Sequence, residues 1–414
     1  MAIRDHEVIE INEFMGLWKR GEDNDCPQNH FRDCENVKFE AGQGFSTRDG
    51  VDIYEEQAVP LGNILRIYNY PTATANTLLV LITGGEIYHV LDQTTVFGPI
   101  LTVTDMTDFG FVQFAGRAYI TPFKTYTDVE PNIEKGIDDE PLYVYDGLGT
   151  TNARPAGIDT PVNEVGDTFV VTQGTGSTDI GFHIFGVVYE TDTGAFSSIG
   201  PLGALPTLNS DGNGVSFADI PVSPETFVTK RHLVATRVIP DYNGDETGYD
   251  FFFIPDGTIN DNTSTTLSNI SFFDNQLLED ASYLFDQYNP IPSGVNLSIY
   301  HNRLVLNTTF DDISICLVSA IGEPENISQV DGILIAPLDG NPLTITQDMR
   351  DILYGFKRNR TIAWTDNGDE PSSWPMSIID YAMGAPVHGV AKVLDSGATS
   401  IDYLLVAAFQ GIQI

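Results

Sequence analysis

The stretch Thr77-Leu-Leu-Val-Leu-Ile-Thr-Gly-Gly-Glu-Ile-Tyr-His-Val-Leu91 contains two apolar segments that are joined by a pair of glycines. Short runs rich in Val, Ile, Leu and Tyr are typical of β-strands, and Gly84-Gly85 between them predicts a two-residue hairpin turn. The chain is therefore expected to contain antiparallel strand pairs that are joined by tight turns.

The same pattern of an apolar strand, a short turn and a second apolar strand recurs along the chain. The further units are 109–121 with its turn at Ala115-Gly116, 295–306 with its turn at His301-Asn302, 351–364 with its turn at Arg358-Asn359, and 385–409, while 141–147 adds an outer strand. A basic residue follows the turn in two of them, as Arg117 and Arg303. Repeated units of this kind predict the blades of a β-propeller, although a sandwich or an irregular set of meanders would give much of the same pattern.

The middle of the chain, residues 161–275, has a different character. Alternating strands such as 182–198, 230–239 and 249–255 are separated by turn signals, which is typical of an immunoglobulin-like or fibronectin III-like β-sandwich. The linkers 156–161 and 288–294 mark its ends. We interpret this region as a sandwich that is inserted between propeller blades.

The expected fold is all-β, with an incomplete propeller of about five or more blades. Residues 1–60 would be N-terminal strands that join the propeller, 61–160 the first blades, 161–275 the inserted sandwich, and 276–414 the remaining blades. The sequence ends at Ile414 within a blade-like pattern. Because a propeller has to close its ring, either the N-terminal strands complete this blade or the polypeptide continues past Ile414, and we favour the second interpretation.

The charge of the chain is extreme, with 58 acidic residues against 20 basic ones and a net charge of −38. Stable contact with phosphates needs clusters of Lys and Arg, so a sequence-specific DNA or RNA binder is excluded. Two explanations of the acidity remain open. Acidic walls would let a polyanion slide past without sticking, or an acidic surface would serve solubility in a salty environment.

The N-terminus alternates charged and apolar residues, which is not the pattern of a secretory signal. No window approaches the roughly 18 apolar residues that a membrane span requires. The three cysteines, Cys26, Cys34 and Cys316, are too few and odd in number for a disulfide framework. We expect the chain to fold in a reducing cytoplasm.

Three soft metal ligands, Cys26, His30 and Cys34, follow one another at regular spacing. Zinc usually needs a fourth ligand and closer Cys pairs, and Pro27 indicates a loop rather than a helix that would align the three. We interpret these cysteines as buried or incidental thiols and predict no metal. The sequence does not decide whether the three side chains meet.

Two acidic stretches, Asp241–Asp245 and Asp366–Asp369, resemble fragments of calcium loops but lack the required Gly and Glu positions. Asp and Asn favour turns in their own right, so we interpret both as turns. The stretch 364–371 departs from a sialidase Asp-box, and Trp364 and Trp374 are interpreted as packing residues. No nucleophile elbow, phosphate loop or dinucleotide fingerprint is present, so we predict no catalytic, cofactor-binding or metal-binding residues and no enzyme activity.

Several short segments together resemble virion proteins of tailed bacteriophages that are built on β-propellers. The segment 34–50 reads as a strand, a Gly-rich turn and an Arg-x-Gly stop. The segments that carry the resemblance are Asn36–Phe39, Thr47–Gly50, Phe114–Ile120, Val187–Ser197, Tyr300–Leu306, Ser319–Pro324 and Leu353–Lys357. The chain departs from the pattern at Asp49, where many relatives have Pro.

The resemblance implies a structural protein of a short phage tail, either its nozzle or hub or a related tail-stabilising component. Copies of the chain, most often six, would form a ring around the DNA exit channel and contact other tail proteins such as the adaptor and fibres. Genomic DNA would pass without specific binding. The protein would belong to the virion and would assemble in the cytoplasm of the host bacterium.

The alternative is a carbohydrate-binding or glycan-cleaving propeller that acts as a host-receptor adhesin. Aromatic residues such as Trp18, Trp364 and Tyr403 would then stack on sugars. A third possibility, an adhesion module on a cell surface, is disfavoured by the missing signal pattern.

Overall fold

The chain is built from antiparallel β-sheets. The computed structural model describes residues 37–40, 44–47, 63–72, 75–91, 95–127, 132–149, 151–163, 168–205, 213–240, 248–307, 309, 312–393, 403–408 and 411–413. Within these ranges, helix is confined to three short 3-10 turns at Asp274–Gln276, Ser282–Asp286 and Pro371–Ser373. The predicted all-β class is confirmed.

The chain divides into two compact units, Met1–Gln57 and Ala58–Ile414. In the described part of the first unit, strands β1 (Val37–Glu40) and β2 (Gly44–Thr47) pair antiparallel, with Phe39 opposite Phe45. The strand expected in this segment is therefore confirmed.

The second unit begins with two sheets, A and B. Sheet A contains β3 (Ile64–Pro71), β4 (Asn76–Ile82), β5 (Glu86–Val90) and β6 (Val96–Thr102), each paired with the next. Sheet B contains β7 (Asp108–Phe114), β8 (Arg117–Tyr126), β9 (Ile133–Gly136), β10 (Tyr143–Tyr145) and β11 (Arg154–Pro155). The long β8 pairs with β7 along one edge and with both β9 and β10 along the other.

The described part of the middle region contains seven strands in two sheets, C and D. In chain order they are β12 (Val170–Thr175), β13 (His183–Thr191), β14 (Gly203–Leu205), β15 (Asn213–Ala218), β16 (Val228–Thr236), β17 (Phe251–Ile259) and β18 (Leu267–Ile270). Sheet C has the order β12-β15-β18, and sheet D the order β14-β13-β16-β17. Phe185 and Leu233 of sheet D share one hydrophobic core with Val215 and Phe217 of sheet C, because a half-apolar sheet must bury its apolar face against another element.

The chain leaves sheet B and returns beside it. The Ile291 N–H donates to the Ala156 carbonyl at 3.0 Å, and the Leu142 N–H donates to the Ile291 carbonyl at 2.8 Å. The two predicted linkers therefore lie side by side, and the middle region starts and ends at one place.

Three sheets, E, F and G, follow. Sheet E is formed by β19 (Asn296–Tyr300), β20 (Arg303–Asn307), β21 (Ile315–Val318) and β22 (Ile333–Ile335), and sheet F by β23 (Leu343–Met349), β24 (Ile352–Lys357), β25 (Thr361–Trp364) and β26 (Met376–Asp380). Sheet G is formed by β27 (Val390–Val393), β28 (Tyr403–Ala408) and β29 (Gly411–Gln413). In all three sheets each strand pairs with the next one in the chain.

Sheets A, B, E, F and G are connected through their first strands. Strand β7 packs against β3, β19 against β7, β23 against β19, and β27 against β23. The hydrophobic cores lie between successive sheets. Their central members are Leu79, Leu81, Phe109 and Ile120 between A and B, Phe114, Tyr119, Leu297 and Leu306 between B and E, Val305, Leu353 and Trp364 between E and F, and Ile345, Phe356, Leu404 and Val406 between F and G.

Two of the predicted turns have the backbone that right-handed strand twist favours. Ala115 and Gly116 have φ of 49° and 79°, and His301 and Asn302 have φ of 46° and 58°, which is the left-handed pair of a type I′ hairpin. The turn at Arg358-Asn359 is also confirmed, since the Lys357 N–H donates to the Arg360 carbonyl at 2.9 Å.

The turn at Gly84-Gly85 differs from the prediction. Ile82 lies opposite Glu86, so Thr83 belongs to the turn, which has three residues. Among the non-glycine residues of the described chain, Asp and Asn dominate the remaining left-handed positions, at Asp105, Asp139, Asp219, Asp256, Asn269 and Asp351. Their short polar side chains tolerate this conformation, so part of the chain's acidity serves its turns.

Candidate functional site

A cluster of charged side chains connects sheet B, the middle region and sheet E. Arg117 starts β8 and Arg154 starts β11 at the edge of sheet B, Asp192 and Thr193 lie in the turn after β13, and Glu325 lies in the loop after β21. We call these five residues the junction cluster. They come from four stretches of sequence that the fold brings together.

The Arg154 guanidinium lies at the centre of the junction cluster. Its Nη1 is 2.8 Å from Glu325 Oε2 and its Nη2 is 3.2 Å from Oε1. On another side, its Nε and Nη2 lie 3.1 Å and 2.7 Å from Asp192 Oδ1. Arg154 thus bridges two carboxylates, with the two-pronged geometry for which arginine is suited.

The Glu325 carboxylate is buried, with a side chain that is 1% exposed. It also accepts hydrogen bonds from the Gly157 N–H at 3.0 Å and from Thr193 Oγ1 at 2.7 Å. A charge that is removed from water is tolerated only when it is paired and its remaining lone pairs are hydrogen-bonded. Glu325 meets both conditions through groups that belong to two different segments, residues 154–157 and the turn after β13.

The neighbours of Arg154 reinforce its charge. Burial lowers the pKa of Arg154, but Glu325 and Asp192 outweigh that effect, and the pKa lies above its ordinary value. The guanidinium also stacks over the Phe227 ring at 4.6 Å, a favourable cation–π contact. Burial, together with Glu325, raises the pKa of Tyr119, which keeps that hydroxyl protonated.

Arg117 completes the junction cluster, with its Nη1 3.0 Å from Asp192 Oδ2. Cavities of about 260 Å³ and 390 Å³ flank the cluster, and both are lined by Arg117 and Asp192. Each charged group of the cluster is engaged with an opposite charge. Chemically, the arrangement fastens sheet B, the turn after β13 and the loop after β21 to one another.

A second polar contact connects sheets A and B with the segment that leads into sheet G. Asp108 Oδ2 lies 2.6 Å from Arg66 Nε and 3.3 Å from His388 Nε2. The His388 ring is also 3.2 Å from the Tyr68 hydroxyl, which donates to the Phe109 carbonyl. Asp108 therefore joins the first sheet of the second unit to the segment before its last sheet.

The five histidines that the structure describes are all hydrogen-bonded to protein groups. Their partners are Thr77 and Tyr145 for His89, Thr236 and Asp179 for His183, Glu190 and Thr258 for His232, Asp366 and Asp351 for His301, and Tyr68 for His388. Burial lowers the pKa of His89, which favours its neutral form. These rings connect strands and turns to one another.

The possible metal ligands named from the sequence do not form a metal site in the described part of the chain. Cys26, His30 and Cys34 lie outside the described residues, as does the stretch Asp241–Asp245. Asp366 accepts a hydrogen bond from the Gly368 N–H at 2.8 Å, and its carboxylate lies 3.1 Å from the His301 ring. The stretch 366–369 is therefore a turn that a histidine contacts. Among the described residues, no group of three or more His, Cys, Asp or Glu side chains is arranged to hold a metal ion.

The two tryptophans that were interpreted as packing residues are buried. Trp364 is 1% exposed and Trp374 is 5% exposed, both in the core between sheets E and F. The expectation that Trp364 stacks on sugars is wrong, because the side chain is buried. Trp18 and the side chain of Tyr403 lie outside the described part.

Sequence reasoning singled out Arg117 but missed Arg154, Asp192 and Glu325. Their pairing depends on which segments the sheets bring together, and no spacing motif records it. Arg154 directly precedes a proline next to the linker predicted at 156–161, which is the one local sign that it lies at a boundary.

Comparison with known proteins gives structural neighbours alone, since no family model and no curated protein matches the chain. The chain is similar to the crystal structure of the computationally designed Ika8 protein, with 11% identity, 86% of this chain and 83% of that chain covered, and a TM-score of 0.19. It is also similar to the AfRom2 CNH domain (11% identity, 84% and 97% covered, TM-score 0.18) and to the Neurospora crassa Pan2 WD40 domain (10% identity, 71% and 86% covered, TM-score 0.12). TM-scores this low do not define a common fold.

In the described part of the chain, no helix has the length and apolar content that a membrane crossing requires.

Proposed function

We propose that sheets A, B, E, F and G are five blades of a β-propeller and that sheets C and D form a β-sandwich inserted between the second and third blades. The successive contacts of the first strands support the propeller, because the innermost strands of neighbouring blades meet in this way. The backbone hydrogen bond between Ile291 and Ala156 supports the interpretation of the middle region as an insertion, because it shows that the chain enters and leaves that region at one point.

Contacts at a distance in sequence support closure of the ring. Asp108 connects sheets A and B with His388, which precedes sheet G. The Arg358 side chain, in the turn after β24, donates to the Asn132 carbonyl and lies 3.5 Å from Glu134 of sheet B. A ring of five sheets accounts for both contacts, since it brings early and late sheets together around one axis.

On this architecture, the chain acts as a structural subunit of a tailed-phage tail and has no catalytic role. The junction cluster carries this proposal. It uses two arginines and two carboxylates to hold the middle region against sheets B and E, with Glu325 fully desolvated. Such a fixed connection suits a rigid scaffold on which an inserted module offers a lateral docking surface.

The assembly that fits these properties is a ring of six copies at the nozzle or hub of the tail, in the virion, with the adaptor and fibres as neighbours. The net charge of −38 supports a channel through which genomic DNA passes without binding. A permanent ring of this type would bury more than about 2,000 Å² at each subunit contact.

Electron microscopy and light scattering of the purified full chain test the proposal. The expected result is a closed ring with a central opening and no retention of double-stranded DNA at physiological salt. A chain that remains monomeric at every concentration reached, or one that binds DNA tightly, would overturn it. Portal, terminase and tail genes beside the coding gene would support the virion assignment, whereas a neighbourhood of sugar-metabolism genes would contradict it.

A further inference from the structure

Two arginines occupy the same position in two sheets but have different surroundings. Arg117 and Arg303 each follow a two-residue left-handed turn and start the second strand of a sheet, opposite Phe114 and Tyr300 respectively. Arg117 is paired by Asp192, which the middle region supplies. The guanidinium of Arg303 receives no such carboxylate.

The Arg303 side chain is only partly satisfied. The residue is 9% exposed, its Nη1 donates to the Ser319 carbonyl at 2.9 Å, and its guanidinium lies 5.8 Å from the Trp374 ring centre. Its Nε is enclosed without an acceptor, and no ion pair joins Arg303 to any residue that the structure describes. The Asp366 carboxyl is close enough for the charge of Arg303 to act on its pKa, but the two groups form no ion pair. A buried cation that lacks a direct ion-pair partner and a full set of acceptors is costly, so this position favours an additional acceptor.

Arg303 lines a cavity of about 340 Å³. Its walls come from three connecting segments: the 3-10 turn Ser282–Asp286, the loop 320–332 after β21, and the start of the 3-10 turn Pro371–Ser373. We call it the Arg303 pocket. Its volume is at the lower end of the range of about 300–1,000 Å³ that is usual for small-molecule sites.

The walls of the Arg303 pocket carry acceptors that the chain does not use. Asp286, Asp331 and Glu370 are exposed and line the pocket, and the described chain pairs none of their carboxylates with Lys, Arg or His. One arginine against three carboxylates gives the lining a net charge of −2. The three carboxylates would repel a free anion, and the Arg303 guanidinium would repel a simple cation.

A ligand that both donates and accepts hydrogen bonds without carrying charge matches this lining. Sugar hydroxyls can donate to the three carboxylates while a ring or hydroxyl oxygen accepts from Arg303. The Tyr283 ring, 41% exposed, stands at the wall with an apolar face of the kind on which pyranose rings rest. Burial, with the nearby acids, raises the pKa of Tyr283 to about 12, so its hydroxyl remains a donor.

We propose that the Arg303 pocket binds a neutral mono- or disaccharide unit of a larger glycan, held between the Arg303 guanidinium and the carboxylates of Asp331 and Glu370. This activity is additional to the structural role and does not depend on ring formation. It places sugar recognition in a polar pocket away from Trp364, which is buried.

Saturation-transfer NMR and calorimetry on the full chain test the site, with neutral hexoses and N-acetylhexosamines as probes and a uronic acid as the anionic comparison. The wild-type chain is expected to bind at least one neutral sugar saturably and more tightly than the uronic acid. Arg303→Gln is expected to weaken that binding at least tenfold. Lys124→Gln, which removes a positive charge in sheet B outside the pocket, is expected to leave it unchanged.

A double variant, Asp331→Asn with Glu370→Gln, keeps the test decisive if Arg303→Gln does not fold, because both side chains are exposed. It is expected to weaken neutral-sugar binding as well, with an unchanged near-UV circular dichroism spectrum. The proposal fails if no neutral sugar binds the folded wild-type chain, or if the folded pocket variants bind as the wild type does. Preference for the uronic acid would also overturn it, because the pocket would then be an anion site.

Discussion

Arg154 and Glu325 are 171 positions apart in the sequence and meet in a two-pronged ion pair, with Nη1–Oε2 and Nη2–Oε1 distances of 2.8 Å and 3.2 Å. Arg154 is at the edge of sheet B, and Glu325 is in the loop that follows β21 of sheet E. Neither residue belongs to the middle region, yet Asp192 and Thr193 of that region complete the contact. The position of the middle region therefore depends on a pair formed by its two flanking parts.

Removal of the Glu325 charge is expected to destabilise the chain strongly. In Glu325→Gln the shape is nearly kept, but the Arg154 guanidinium loses its buried counter-charge and the Gly157 N–H and Thr193 hydroxyl lose a charged acceptor. Since breaking a buried pair costs about 3–5 kcal/mol and the amide keeps some hydrogen bonds, we expect a loss of about 2–4 kcal/mol. Denaturant unfolding followed by tryptophan fluorescence measures it.

The matched control for this variant is Glu323→Gln, two residues away and exposed. Its carboxylate accepts one hydrogen bond, from Asn326 at 2.7 Å, so its free energy of unfolding should change by no more than about 0.5 kcal/mol. Equal losses in the two variants would show that the buried pair has no special importance.

Asp192→Asn and Glu325→Gln are expected to be non-additive. Both carboxylates bind the same Arg154 guanidinium, so the effect of one variant depends on whether the other partner is present. A double-mutant cycle should give an interaction energy of about 0.5–3 kcal/mol. Asp192→Asn combined with Asp339→Asn, which shares no partner with it, should be additive within about 0.5 kcal/mol. Additivity in the first cycle would contradict the shared role of Arg154.

Local features of the fold could be predicted from the sequence because they depend on neighbours in the chain. The type I′ turn at Ala115-Gly116 needs two left-handed residues, and Gly provides one of them without strain. The glycine pair Gly84-Gly85 predicts a two-residue turn that leaves Thr83 in the preceding strand. The observed register of Ile82 opposite Glu86 places it in the turn instead, which shows that pairing can override propensity.

The candidate site could not be predicted, for a physical reason. The partner of Arg154 is decided by how sheets B and E pack, and among 58 acidic residues no local spacing distinguishes Glu325. The same holds for Trp364: whether an aromatic residue is buried depends on the sheet that covers it, and sheet packing encloses the whole of β25. The sequence shows that Arg303 and Arg117 share one position after a turn, but only the three-dimensional contacts show that Arg117 has an ion-pair partner and Arg303 has none among the described residues.

The ion pair of Asp339 with Lys357 should make stability depend on pH in the acid range. Burial raises the pKa of Asp339, but the hydrogen bond from the fully buried Lys357, at 2.5 Å, and the further bonds and charges around it lower the pKa below its ordinary value. A carboxyl whose pKa is lowered by folding contributes stability above its unfolded pKa of about 3.9, and this contribution disappears as the pH falls through the lower folded value.

Wild type and Asp339→Asn should therefore differ in unfolding free energy by a constant amount above about pH 5 and converge below about pH 4. Asp256→Asn is the matched control, because Asp256 is exposed, has a left-handed φ of 60° that Asn tolerates, and forms no ion pair with described residues. The unfolding free energy of Asp256→Asn should stay close to that of the wild type over the whole pH range. A gap between wild type and Asp339→Asn that widens as the pH falls would contradict the sign of the effect.

Arg231 of sheet D should not be replaceable by lysine. Its side chain is fully buried and donates to the carbonyls of Pro221, Asp261 and Ser264 at 2.9, 3.1 and 2.6 Å. Burial lowers the pKa of Arg231, and the Asp261 carboxylate partly offsets this. A lysine ammonium is a single point and cannot reach three carbonyls that the planar guanidinium spans, so Arg231→Lys should cost about 2–4 kcal/mol in a denaturant titration. Lys230→Arg, the neighbouring change at a half-exposed site, is the control and should cost no more than about 0.5 kcal/mol. Equal stability of the two variants would refute the role assigned to the planar guanidinium of Arg231.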